Sequence, residues 1–221
     1  MSNIRVTHNT DPNHARSESD VAINPNNPMQ IVSGSKKFNN IQTYDFVLAT
    51  QYSSDGGLTW HDSADLALPG FTILTDPALA WDDAGNVFLV GLSGNNPPTV
   101  NVIGIENYKS TDGGKSWSPP NRIHTGAGDD KQWAAGDSNP ASPFHGNVYA
   151  VWDDGRDMRF ARTKDHGATW VGAGAGVTPA GAVLVNDSFA PENNVAARHG
   201  ELAMTVGGVQ KQLRPGGNGG P

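Results

Sequence analysis

An eight-residue pattern, Ser/Thr-x-Asp-x-Gly-x-Ser/Thr-Trp, occurs three times in the chain, at residues 53–60, 110–117 and 163–170. Its aspartates, Asp55, Asp112 and Asp165, recur roughly every 55 residues, close to the length of one four-stranded propeller blade. Because a fixed period of this length is typical of stacked supersecondary units, the chain is predicted to be a repeat protein.

Each copy of the pattern lies at the same place in a frame of short apolar segments. These segments are 21–24, 31–35 and 46–52 in the first unit, 77–81, 87–92 and 100–108 in the second, and 132–136, 147–152 and 158–162 in the third. A fourth strand is expected after each copy. The 27 glycines and 15 prolines among 221 residues favour turns over long helices. The sequence therefore predicts an all-β fold of four-stranded units.

The residues of the pattern have structural roles that need no substrate. An aspartate carboxylate accepts N–H bonds within its own turn, glycine adopts positive φ freely, and tryptophan offers a large apolar face for packing between sheets. We assign this structural role to Ser53, Asp55, Gly57, Trp60, Ser110, Asp112, Gly114, Trp117, Thr163, Asp165, Gly167 and Trp170.

Charge and composition argue against several classes of function. The formal net charge of −7 opposes binding to a polyphosphate backbone, so no nucleic-acid partner is predicted. There are no cysteines, and the seven histidines show no paired metal-ligand spacing, so neither a metal site nor a cofactor is predicted. No signal peptide or membrane-spanning run is visible, and we expect a soluble chain with no membrane partner, of unknown compartment.

The three copies are similar to the Asp boxes of the bacterial neuraminidase repeat, and the chain resembles the sialidase superfamily from about Ser17 to Trp170. This resemblance implies a partial sialidase-like β-propeller of three four-stranded blades and the start of a fourth. The blades are expected at about 17–62, 72–122 and 128–175, with an incomplete fourth at 183–206. Residues 207–221 are predicted to be a disordered tail rich in glycine and proline.

An open arc of blades is expected to expose two apolar faces, because a propeller removes its sheet edges only by closing into a ring. Self-association that closes the propeller is therefore one predicted interaction. A glycan or glycoconjugate is the other predicted partner, and the resemblance implies it.

The resemblance also implies a catalytic set: a Tyr nucleophile with a Glu partner, an Asp acid/base, and three arginines that bind the substrate carboxylate. Asp45 stands ten residues before Asp55, at the family position of the acid/base, and Arg16 is nearest to the first arginine position. Arg16 is followed by Ser17 and Glu18, where the family pattern has Ile-Pro. A turn aspartate that caps a strand is the alternative interpretation of Asp45.

Further charged residues are candidates for ligand binding at the channel of the propeller. The acids Asp20, Asp76 and Asp130 are expected to open the innermost strand of each unit. The candidate ligand-binding residues are Lys36, Lys37, Asp76, Asp130, Lys131 and Arg156. Solvated loops and hairpin turns are the alternative interpretation of these charges.

Three functional hypotheses follow. The first is a sialidase-like, carbohydrate-related repeat protein without a complete catalytic set in this chain. The second is an exo-α-sialidase, a glycoside hydrolase, that is active only when the ring is completed. The third is a non-enzymatic scaffold that binds proteins through the propeller surface.

Overall fold

The computed structural model describes residues 3–7, 11–95, 101–172, 202–206 and 209–213. Thirteen β-strands and one short 3-10 helix, Pro12–His14, make up the regular structure of these residues. None of the helical structure in these ranges is long and apolar enough to cross a membrane. The predicted all-β class is confirmed.

The first blade is an antiparallel sheet of four strands in chain order. These are β1 (Arg16–Ile23), β2 (Ile31–Asn40), β3 (Asp45–Ser53) and the short β4 (His61–Asp62). The second blade repeats the arrangement with β5 (Ile73–Trp81), β6 (Val87–Asn95), β7 (Asn101–Ser110) and β8 (Asn121–Thr125). A single parallel bridge, Phe46 to Ile73, links the two blades.

The third blade contains β9 (Asp130–Gly136), β10 (Val148–Asp153) and β11 (Met158–Thr163), with β10 in the centre. Where a fourth strand is predicted, an isolated bridge pairs Val171 with Arg162. Along β10, alternate side chains are buried against blade 2, as a half-buried strand requires: Val148, Ala150 and Trp152 are buried.

A separate hairpin is formed by β12 (Leu202–Val206) and β13 (Val209–Leu213). The strand Val209–Leu213 lies within residues 207–221, the segment expected to be a disordered tail. Backbone pairing with β12 makes a strand of these residues. Most of the predicted fourth unit, residues 183–201, and residues 214–221 lie outside the described residues.

Two apolar cores lie between the blades, and a box tryptophan packs against each. Trp117 packs against the core between blades 1 and 2 and donates its indole N–H to Thr50 Oγ1 at 3.0 Å. Trp170 packs against the core between blades 2 and 3, with its ring edge-on to Phe88 at 6.4 Å between centroids. Each of these tryptophans thus joins its own blade to the preceding one, the role predicted for it.

The outward faces of blades 1 and 3 carry exposed apolar side chains. On β1, Val21 and Ile23 are 59% and 57% exposed, and on β9 Trp133 is 66% exposed. A groove of about 520 Å³ also opens on the outward face of blade 1, where Trp60 is one of the lining residues. The first and third blades of the arc therefore both expose an apolar outward face, as the sequence predicts.

Candidate functional site

The blades have two opposite sides, at the two ends of their strands, and these sides differ in chemistry. Strands β1, β5 and β9 are the innermost of their blades, and their starts, together with the β2–β3 hairpin, form the end that we call the mouth. The three Asp boxes follow β3, β7 and β11 and lie at the opposite end, which we call the box end.

At the box end the three Asp boxes share one hydrogen-bond pattern. In the first box Asp55 Oδ1 accepts the backbone N–H of Thr59 at 2.9 Å and the hydroxyl of Ser53 at 2.8 Å. Asp112 and Asp165 make the same two bonds at the same distances within their own boxes. The three carboxylates thus stabilise the turns of their own boxes, which is the structural role predicted for them from the sequence.

The hydrogen bonds of the boxes stabilise the ionised carboxylates. The hydroxyl of Thr59 is the main cause that lowers the pKa of Asp55 to about 2, and Thr169 has the same effect on Asp165. Burial opposes the decrease at Asp112, but the bonds from Ser116 and Ser110 outweigh it and its pKa is also lowered. All three groups are therefore negatively charged at neutral pH.

This pattern predicts a loss of stability in acid. A carboxylate whose pKa is lowered on folding stabilises the native state above its ordinary value of 3.8, and that contribution disappears as the pH falls towards about 2. We expect Asp165→Asn to flatten the dependence of the melting temperature on pH between about 4 and 2. Circular dichroism melts across this range measure the slope. Asp45→Asn is the control, and equal slopes in the two variants would contradict the prediction.

At the mouth, Glu18, Asp76 and Lys131 occupy equivalent positions in three successive blades. Each lies five residues before the last residue of its strand and has a positive φ, 51°, 52° and 52° respectively. A bulge interrupts the strand pairing next to each of them. Such bulges redirect side chains, and left-handed backbone at non-glycine residues is concentrated at functional sites.

The acids Glu18 and Asp76 form a hydrogen-bonded pair next to Thr75. The Thr75 hydroxyl oxygen lies 3.0 Å from Glu18 Oε2 and 2.5 Å from Asp76 Oδ1. The bond with Asp76 lowers the pKa of Glu18, while burial and the bond to Glu18 raise the pKa of Asp76. The pKa values of the two acids therefore shift in opposite directions, that of Glu18 down and that of Asp76 up.

Two lysines flank the acid pair. Lys36 Nζ lies 3.6 Å from Glu18 Oε1, and Lys131 Nζ lies 3.9 Å from Asp76 Oδ2. Lys36 is buried, whereas the side chain of Lys131 is 73% exposed. The mouth cluster, which we define as Glu18, Lys36, Asp76 and Lys131, therefore places a cation on each side of a carboxyl pair.

Three aromatic rings surround the Lys36 ammonium group. Its Nζ lies 4.4 Å from the ring centroid of Phe46, 5.5 Å from that of Phe38 and 5.6 Å from that of Tyr44. Cation–π attraction to these rings holds the charge of a buried lysine in place. The ring of Tyr44 is also accessible to solvent, since this residue is 42% exposed.

Three other predicted site residues, Arg16, Lys37 and Asp45, are not members of this cluster. Arg16 donates to Ser35 Oγ at 3.3 Å and lines the groove on the outward face of blade 1. Lys37 forms an ion pair with Asp65. Asp45 begins β3, where its register partner is Asn40.

The remaining candidates lie in the third blade. Asp130 accepts the N–H of Lys131 at 2.8 Å, and their side chains are 3.6 Å apart, so Asp130 adjoins the cluster. Arg156 lies in the turn before β11, with its side chain 3.6 Å from Asp157 and largely exposed. The backbone N–H groups of Arg156 and Asp157 donate to Asp154 Oδ1 and stabilise that turn. A hairpin turn is the alternative interpretation of Arg156 given above.

Of the three acids expected to open the innermost strands, Asp130 begins β9, whereas Asp20 and Asp76 lie inside β1 and β5. Asp20 lies in the middle of β1, where its Oδ2 accepts the backbone N–H of Leu79 at 2.7 Å and joins β1 to β5. Glu18 is the residue that corresponds to Asp76, and Lys131 is its counterpart in the third blade. Sequence reasoning missed Glu18 because the bulges shift the register between blades, which spacing alone does not reveal.

Comparisons with known proteins agree with this geometry. The model of the BNR/Asp-box repeat matches residues 51–62 and 108–119, two of the three boxes. Among solved structures, a Hadza microbial sialidase is 13% identical with a TM-score of 0.53, and the match covers 73% of this chain and 34% of that one. The chain is a partial Asp-box propeller.

Two further structures show how far this likeness extends. The Asp-box propeller is 10% identical to the intramolecular trans-sialidase of Ruminococcus gnavus, with a TM-score of 0.53 and coverage of 76% of this chain and 62% of that one. It is 16% identical to the α-L-arabinanase of Penicillium chrysogenum, with a TM-score of 0.50 and coverage of 73% and 46%. No curated protein matches the chain. At these identities the likeness establishes the fold, and the propeller spans 34% to 62% of the structures compared here.

Proposed function

We propose that this propeller is a sialidase-like, carbohydrate-binding protein whose mouth cluster binds an acidic sugar. The observation that carries the proposal is the placement of a buried and an exposed lysine on either side of the Glu18–Asp76 pair. Equivalent positions of three blades supply three of the four residues, so the fold itself brings them together.

The chemistry of the cluster suits a sugar that carries a carboxylate. Carboxyl oxygens of Glu18 and Asp76 accept bonds from sugar hydroxyls, and the Lys131 ammonium group binds a carboxylate by a charge-assisted bond. The exposed ring of Tyr44 offers an apolar surface beside these polar groups. A few polar groups next to an aromatic side chain are typical of small-molecule sites.

The geometry of the acid pair supports binding rather than two-carboxylate hydrolysis. Hydrogen-bonded carboxyl groups lie roughly 3 Å apart or less. Retaining glycosidases separate their carboxyls by about 5 to 5.5 Å and inverting enzymes by about 6.5 to 9.5 Å. The Glu18–Asp76 pair, which shares a hydrogen bond, is too close for either arrangement. This spacing argues only against two-carboxylate hydrolysis by this pair, because the sialidase resemblance implies a Tyr nucleophile instead.

Isothermal titration calorimetry tests the proposal with 3′-sialyllactose and with lactose, which lacks the carboxylated sugar. We expect the sialoside to bind more tightly, and Lys131→Met to weaken its binding about tenfold, because a charge-assisted bond contributes about 1.5 kcal/mol or more. Lys164→Met removes an exposed lysine at the box end and is the matched control.

Equal binding of the two sugars, or equal effects of the two lysine substitutions, would contradict the proposal. The same samples are assayed for release of sialic acid. Release that Asp45→Asn abolishes would replace this proposal with the exo-α-sialidase hypothesis.

Closure of the arc by self-association stays a prediction. The exposed faces of blades 1 and 3, with Val21, Ile23 and Trp133, support it. Light scattering measures the molar mass: a discrete dimer is expected, and a monodisperse monomer would contradict the prediction.

A further inference from the structure

At the box end, four ionisable side chains from three separate segments converge between blades 2 and 3. Asp82 and Asp83 follow β5, His145 precedes β10, and His166 lies in the third Asp box. We call these four residues the Asp–His cluster. None of them belongs to the mouth cluster, and no role has yet been given to them.

The ligand atoms of this cluster lie close together. His166 Nδ1 is 2.9 Å from Asp82 Oδ2 and 4.0 Å from Asp83 Oδ1. The potential ligand atoms of these three residues all lie within 4.8 Å of one another. Ligand atoms bound tetrahedrally at about 2.0 to 2.1 Å are roughly 3.3 Å apart, so only small side-chain movements are needed for these three residues to bind an ion, with water as the fourth ligand.

One carboxylate oxygen of the cluster lacks a partner, although the Asp83 side chain that carries it is 28% exposed. Asp83 Oδ1 is a buried atom that finds no hydrogen-bond donor among the described residues. Its other oxygen, Oδ2, lies 3.5 Å from His145 Nδ1. An unpartnered, buried carboxylate oxygen is costly, and a cation at this point would remove the cost.

His166 also departs from the repeat at this position. The other two boxes have glycine at the equivalent position, Gly56 and Gly113, both with positive φ. His166 adopts the same left-handed backbone, with a φ of 54°, although it is not a glycine. A non-glycine residue in this conformation costs roughly 1 to 2 kcal/mol. The side chain that replaces glycine is directed at Asp82, which is fully buried and belongs to the neighbouring blade.

We propose that Asp82, Asp83 and His166 bind a zinc ion that links blade 2 to blade 3, with His145 orienting the Asp83 carboxylate. Imidazole with carboxylate ligands is a set that zinc accepts, whereas calcium requires six to eight oxygen ligands. Hydrogen bonds from Ala84 N and Asn86 N to Asp82 Oδ1 hold this ligand in the way that outer partners of metal ligands do.

The test measures zinc binding to the untagged full chain after EDTA treatment, at pH 7.5. At a free zinc concentration of about 100 times Kd, we expect the melting temperature to rise by roughly 5 to 10 °C. Calcium at the same concentration is expected to leave it unchanged. No response to zinc, or an equal response to calcium, would overturn the proposal.

A glycine substitution separates loss of the ligand from loss of the fold. His166→Gly restores the residue of the other boxes and relieves the left-handed strain, so the variant is expected to fold and to lose the response to zinc. His145→Gln is expected to weaken zinc binding by about 10- to 100-fold as an outer-partner change. His61→Gln, at an exposed histidine of blade 1, is the control. An equal zinc response in His166→Gly and the wild-type chain would overturn the proposal.

Discussion

Trp152→Ala is expected to lower the free energy of unfolding by about 3 to 5 kcal/mol, the cost of truncating a fully buried tryptophan. The side chain of Trp152 is completely buried in the core between blades 2 and 3, with the ring of His124 5.3 Å away between centroids. A domain has only about 5 to 15 kcal/mol of stability, so this single change removes a large part of it. Urea denaturation followed by circular dichroism measures the loss.

Trp133→Ala is the matched control for that experiment. Trp133 lies in the same blade, on β9, but on its outward and exposed face. Its truncation is expected to change stability by less than about 1 kcal/mol, because little surface is lost from a packed core. Similar costs for the two tryptophans would mean that the core between blades 2 and 3 is not where the structure places it.

Gly136→Ala is expected to destabilise the chain by about 3 kcal/mol, since extra volume is forced against backbone. A Cβ atom at this position would lie 1.8 Å from the carbonyl oxygen of Trp81. Gly136 ends β9 and Trp81 ends β5, so the close approach joins the innermost strands of two blades. The same urea titration measures the effect.

Gly70→Ala provides the comparison with the same chemical change. Its Cβ would meet nothing within 4 Å, and only its φ of +88° opposes the substitution. The expected cost is therefore about 1 to 2 kcal/mol, the strain of a left-handed residue. A Gly136→Ala variant no less stable than Gly70→Ala would contradict the packing of blade 2 on blade 3.

Much of the fold follows from local patterns in the sequence. The Asp boxes mark the end of the third strand in each unit, and alternating apolar residues mark the strands on either side. Boxes such as 110–117 form their turns from bonds within eight residues, which is why their role could be predicted without any distant contact. The exposed faces of blades 1 and 3 were predicted from the number of boxes, because an open arc of three blades does not close into a ring.

The mouth cluster depends on contacts that the sequence does not display. Glu18 is recognised as a site residue only from the structure, where it lies at the bulge of β1 that corresponds to the bulge of β5 at Asp76. Lys36 was a candidate because of its charge, but its three aromatic neighbours come together only by strand pairing of β2 with β3. Spacing rules work along one element, and this cluster is assembled across blades.

The Asp–His cluster shows the same limit for metal ligands. His145 and His166 have no recognised ligand spacing, and Asp83 lies more than sixty residues before either of them. Packing of blade 3 on blade 2 is what brings them together. The sequence contains one signal for this cluster, which is that His166 stands where the other two boxes have glycine.

The most direct test of the central claim is a two-dimensional NMR titration of the isotope-labelled chain with 3′-sialyllactose. If the sugar binds at the mouth, chemical-shift changes are expected at Glu18, Lys36, Asp76 and Lys131 and none at the Asp boxes. Changes confined to the box end or to the outward blade faces, or no changes at saturating sugar, would contradict the central claim.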